Sequence, residues 1–148
     1  MSQANQALVS SPSVAVHFDH SHRLYEPQDR LAIRYSIDGI ENNERIRAVE
    51  LSMLWYTEGK GEEDLGVHFF ERITDRERLP PTVTIGSFVS QLPLSPLSYE
   101  GLIVKVRWCV RVRIFFAGGR DFVSEHVFEL GEIPPAHTPS GDPAKLSA

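Results

Sequence analysis

Apolar and polar residues alternate with period two through most of the chain, while the i, i+3, i+4, i+7 spacing of an amphipathic helix is not sustained for three turns anywhere. Period two puts successive side chains on opposite faces of a strand, so each run reads as a strand with one buried face. Seven runs qualify: residues 14–18, 30–37, 46–57, 66–73, 82–92, 102–116 and 122–130. In the second, Leu31, Ile33, Tyr35 and Ile37 share one face and Arg30, Ala32, Arg34 and Ser36 the other. In the third, Val49, Leu51, Met53 and Trp55 face one way. Residues 102–116 are the most regular, with Val104, Val106, Trp108, Val110, Val112 and Ile114 opposed by Lys105, Arg107, Cys109, Arg111 and Arg113.

The breaks between runs carry turn chemistry. Pro27 and Asp29 favour a turn before residue 30, Asp38-Gly39 ends the second run, and the Gly- and acid-rich residues 58–64 suit an exposed hairpin tip. Residues 117–120, Ala-Gly-Gly-Arg, supply glycine where a hairpin needs positive φ. Across that last hairpin, burial of the apolar face sets the register: Phe122, Phe128 and Leu130 join Trp108 on the core side and Arg113 faces Glu125. A one-residue slip would bury Glu125 and Glu129 instead. Strands without intervening helices predict an all-β fold, an antiparallel two-sheet immunoglobulin-like sandwich of about seven strands. Trp55 and Trp108 are expected as core residues of facing sheets. Residues 1–13 and 133–148, small, polar and Pro-rich, read as flexible tails around one domain at 14–132.

Two stretches resemble the arrestin-like family. One is Tyr25-Glu26-Pro27-Gln28-Asp29-Arg30-Leu31, leading into an alternating strand. The other runs from Phe88-Val89-Ser90-Gln91-Leu92-Pro93 through Ser95-Pro96-Leu97-Ser98-Tyr99-Glu100-Gly101 into the strand at Ile103 to Val112. It is similar to the family's Pro-rich link, aromatic and Gly before a long strand; the prolines, which cannot join a ladder, carry the chain from one sheet to the other. The resemblance implies a single-lobe arrestin-like sandwich and a scaffold or adaptor role. Arrestin-like proteins pair two such lobes, and this chain has residues for one, so the two-lobed receptor cradle is not implied.

Composition narrows the function classes. With 148 residues, 41% of them hydrophobic and 24% charged, the chain can bury a core without disulfide or metal. No apolar run reaches the roughly 20 residues of a spanning helix, and the first residues lack the basic and apolar regions of a leader, which places the chain in the cytoplasm. Cys109, the one cysteine, agrees with a reducing compartment. A net charge of −5 argues against nucleic acid.

No motif brings nucleophile and base together, so no enzyme is expected and no cofactor. Gly-Lys-Gly at residues 59–61 lacks the spacing and the strand-to-helix context of a phosphate loop. His17, Asp19, His20 and His22 form the densest ligand-type cluster, with His20 and His22 on one face if the first strand continues. No second cluster completes a metal set, although His68 or His126 could approach, so a solvated strand end is the expected reading. The remaining feature is a polar face of Arg30, Arg34, Lys105, Arg107, Arg111 and Arg113, balanced in the bland reading by Glu50, Glu125 and Glu129. Its sharper reading is a surface for an acidic or phosphorylated segment, since arginine forks take such groups bidentately. A non-catalytic protein-interaction module follows, self-association being its simplest form, with a small-molecule or metal-ion binding sandwich as the alternative.

Overall fold

The computed structural model describes residues 11–40, 44–75, 79 and 84–131. Among these residues nine strands run in chain order: β1 Ser13–Phe18, β2 Leu24–Tyr25, β3 Arg30–Asp38, β4 Ile46–Gly59, β5 Leu65–Ile73, β6 Thr84–Gln91, β7 Tyr99–Glu100, β8 Val104–Phe116 and β9 Asp121–Leu130. The seven expected strands are all present, and β2 and β7, two residues each, are additions too short to carry an alternation. A single 3-10 turn at Ser21–Arg23 is the only helical element among the described residues. Pro12, expected in a tail, is buried just ahead of β1; the rest of both expected tails lies outside the described residues, apart from Ser11 and Ser13.

The strands form two sheets, β1-β3-β6 and β2-β9-β8-β4-β5, with β7 added beside β8. All pairings are antiparallel except β2 with β9, which is parallel. The Pro-rich link does cross between sheets, from β6 in the small sheet to β7 and β8 in the large one. Leu31, Ile33, Tyr35 and Ile37 of β3 meet Val49, Leu51 and Met53 of β4 and Trp108, Val110, Val112 and Ile114 of β8 in one core. Phe69 of β5 stacks on Phe88 of β6 with centroids 4.6 Å apart, joining the sheets along one side. Trp108, fully buried, donates its indole N–H to the Pro96 carbonyl at 2.7 Å, which satisfies its one polar atom inside the core.

Trp55 and Trp108 do not sit on facing sheets: they are direct cross-strand partners in the β4–β8 ladder. Both lie in phase with the apolar stripe, but Trp55 falls near the end of the sandwich and is half-buried, its indole lying across Gly66, where any side chain would collide with it. The final hairpin buries Phe128 and Leu130 and exposes Glu125 and Glu129, the expected faces. Its pairing differs by two residues: Arg111 faces Glu125 and Arg113 faces Val123. Two-residue shifts preserve faces, so apolar burial fixes the side each residue points to while the turn, with Gly119 at φ +97°, fixes which residues meet.

Candidate functional site

The six basic residues do not share one face. Arg30 and Arg34 project from β3 on the outside of the small sheet, while Lys105, Arg107, Arg111 and Arg113 project from β8 on the outside of the large one. Alternation reports a residue's face within its own strand but not the sheet that strand joins.

The β8 cations are neutralised locally. Arg107 bonds Glu58 of β4 and Glu100 of β7, each at 3.0 Å, and Lys105 lies 3.7 Å from Glu100. Arg111 holds Glu125 at 3.0 Å and Arg113 holds Asp121 at 2.6 Å. Glu58 and its neighbours hold the Arg107 guanidinium above its ordinary value against the pull of burial. Glu50, expected among the balancing acids, instead pairs with Arg72 of β5 at 2.6 Å. Between these pairs the outer face is dry: Cys109, Leu54 and Ser52 are all buried there, contrary to the expected wet face. Burial first, then the Glu125 carboxylate, pushes the Cys109 thiol up to about 12, which makes it an inert thiol. Where this face meets the tip of the β4–β5 hairpin, an open groove of about 530 Å³ is lined by Tyr56, Leu65, Glu58, Glu63, Asp64, Arg111 and Glu125 among others.

The outer face of the small sheet is different. Across its three strands His17, Arg34 and Ser87 form one row, Ala15, Ser36 and Ile85 another, and Arg30 lies beside Gln91. Neither Arg30 nor Arg34 is in an ion pair with any described residue, and both are exposed. Along β6, Ile85 is 77% exposed and Val89 45%. Sequence reasoning missed these two, because both parities of residues 85–92 contain apolar side chains and only the stacking of Phe88 on Phe69 decides which face turns in.

The histidines disperse. β1 ends at Phe18, so His20 and His22 do not continue a strand face: His22 lies in the 3-10 turn at φ +57°, and His20 stacks on Tyr25 with centroids 4.1 Å apart. His68 bonds the Gln91 carbonyl at 2.7 Å, and His126 bonds Ser124 at 2.6 Å. Burial, then the charge of Arg23, holds the His126 imidazole below its ordinary value. Among the described residues no group of three or more His, Cys, Asp or Glu could hold a metal ion. Asp19 does structural work: it accepts from the Tyr25 hydroxyl at 2.7 Å and the Ala32 N–H at 3.1 Å, closing the end of β1 over the turn into β3. Burial opposes the Asp19 charge, but these two hydrogen bonds outweigh it and its carboxyl lies below the usual range. Among the described residues no helix is long and apolar enough to cross a membrane.

No protein-family model matches the sequence, and no curated protein matches it. Among solved structures the fold is similar to Spo0M, a sporulation control protein from Bacillus subtilis, at 17% identity and a TM-score of 0.62. The match covers 87% of this chain and 51% of that one, so the chain spans about half the length of this neighbour. The fold is therefore an arrestin-like β-sandwich, as the two resembling stretches imply.

Proposed function

We propose that this chain is a non-catalytic, single-lobed protein-interaction module that docks an acidic segment on the outer face of its small sheet. The observation that carries the reading is the contrast between two sets of cations: those of β8 each hold a carboxylate of their own sheet, while Arg30 and Arg34 hold none among the described residues. Four residues apart on a strand, they stand about 13 Å from each other, a spacing an extended peptide matches with acids at the same interval. Their guanidinium forks take carboxylate or phosphate oxygens in pairs. The neighbour's name, a control protein, is in keeping with a role without chemistry, and the buried thiol of Cys109 supports a reducing compartment such as the cytoplasm.

Fluorescence anisotropy with two labelled peptides, one glutamate-rich and one carrying phosphoserines, tests the reading and separates the two sources of anion. Arg30→Glu with Arg34→Glu is expected to abolish binding, while Arg111→Glu leaves it near the wild-type level. Equal affinities in all three proteins, or no binding of either peptide to the wild type, would sink the proposal. A second reading, small-ligand binding, has the groove beside Tyr56 and Leu65 in its favour.

A further inference from the structure

The small sheet ends in an open edge whose polarity can be read from one bond. The Leu92 N–H donates to the Asp29 carbonyl at 2.8 Å, and in an antiparallel ladder the residues bonded to the partner strand alternate with residues whose N–H and C=O point away. Ser90, Phe88 and Gly86 therefore bond β3, while Val89, Ser87 and Ile85 direct their backbone groups to the free side of β6. Among the described residues no strand pairs there. The side chains of these same three residues face outward, apolar–small–apolar, with Arg34 directly behind Ser87.

The chain carries a second open edge with the converse pattern. Just past β9 the Gly131 N–H donates to Tyr25 of β2, so the odd-numbered residues of this strand turn their backbone groups away from β8. β2 pairs only with Glu129 and Leu130, which leaves Val123, Glu125 and Val127 on an edge that no described strand covers. Arg23 touches it at the Val127 carbonyl, 3.3 Å away. The outward side chains are apolar–acidic–apolar, Val123 and Val127 being 45% and 40% exposed. Both contacts of Arg111 fall on Oε1 of Glu125; Oε2 has no partner among the described residues.

We infer that the β9 edge of a second copy is an acidic segment this surface takes, adding antiparallel to β6 with Glu125 opposite Ser87. That register sets Val123 against Val89 and Val127 against Ile85, and every residue that pairs is one whose backbone groups point away from the neighbouring strand, the Val127 carbonyl exchanging Arg23 for the new strand. Ser87 is small enough for Arg34 to reach past it to the open carboxylate oxygen of Glu125, so one carboxylate bridges an arginine of each copy. Unlike edges meet, so the contact is head-to-tail and propagates or closes into a ring. The inference rests on the proposed role of Arg34, and it names the partner.

Sedimentation velocity of the full chain over a concentration series at low salt is the test. The wild type is expected to sediment faster as concentration rises. Ser87→Glu, which sets like charges face to face, and Glu125→Lys, which meets Arg34, are each expected to lose that rise. An equimolar mixture of the two regains it, because the Ser87 edge of one variant still meets the Glu125 edge of the other; this recovery excludes a folding defect. Should Glu125→Lys fail to fold, Val123→Glu takes its place in the same design. A wild type that stays monomeric throughout, a single variant that associates like the wild type, or a mixture that fails to recover each overturns the inference. Acidic-peptide binding that persists in a monomeric wild type would leave the proposed function standing and remove only this partner.

Discussion

Replacing Trp108 by Phe tests whether the Pro-rich link is locked to the core through one side chain. Trp108 is fully buried in β8, packs against Phe128 with centroids 5.9 Å apart, and donates its indole N–H to Pro96 at 2.7 Å. Phenylalanine keeps a six-membered ring in place and removes the pyrrole edge. Complete truncation of a core aromatic costs about 3–5 kcal/mol, and this partial loss about 1–2 kcal/mol of it. The Pro96 carbonyl then loses its donor in a part-buried setting, at the low end of the penalty for an unsatisfied group, about 1 kcal/mol. Together these give about 2–3 kcal/mol against a total stability of about 5–15 kcal/mol for such a domain. With a urea m-value of about 1–3 kcal/mol per molar, the unfolding midpoint should fall by about 1 M. Trp55 remains as the fluorescent reporter, so the substitution does not blind the assay. A midpoint within about 0.2 M of wild type at unchanged m would refute the reasoning. It would mean the indole neither fills its site nor holds the link.

Asp19 has a depressed carboxyl in the folded chain, so its contribution is present above the unfolded value near 3.8 and is lost as pH falls through the folded one. Asp19→Asn should therefore be less stable than wild type at neutral pH, by under about 1 kcal/mol given its exposure, and the gap should close on acidification below pH 4; a constant gap in urea titrations would contradict the assignment. Cys109 should resist a thiol reagent in the native protein and react at once in denaturant, with rapid native labelling as the adverse result. Gly119→Ala should cost about 1–2 kcal/mol from the left-handed backbone alone, since a methyl group there meets nothing within 4 Å. Gly118→Ala, equally unobstructed and without positive φ, should be near neutral in the same thermal melts.

Apart from β6, whose inward face is decided by the contact of Phe88 with Phe69, the strands were legible because the core face is set by residues within the strand. Leu31, Ile33, Tyr35 and Ile37 are buried as their alternation requires, and so are Val110, Val112 and Ile114. What the alternation does not contain is the identity of the neighbour across the ladder. Glu125 was legible as outward-facing but not as the partner of Arg111, because face repeats every two residues while register is set by the turn. β2 and β7 were illegible for a related reason: two residues make no period, and each exists only through its partner, over a hundred residues away in β9 for β2 and just beyond the Gly101 turn in β8 for β7.

The basic face shows where this blindness matters for function. Six cations in phase on two strands look like one surface only if both strands belong to one sheet, and sheet membership is decided by the crossovers between strands. Once β3 and β8 are assigned to opposite sheets, the same alternation that built the composite face divides it. The partners of β8 come from β4, β7 and β9, each brought beside it by the ladder, and they neutralise it. β3 lies between β1 and β6, whose outward residues are Ala15, His17, Ile85, Ser87, Val89 and Gln91, none of them a carboxylate. That Arg30 and Arg34 have no ion pair among the described residues is thus a consequence of topology, which places no carboxylate beside them on β1 or β6. A carboxylate introduced at Ser87 would supply that acid in cis, which is why the same substitution that blocks the β6 edge should also weaken binding of acidic peptides.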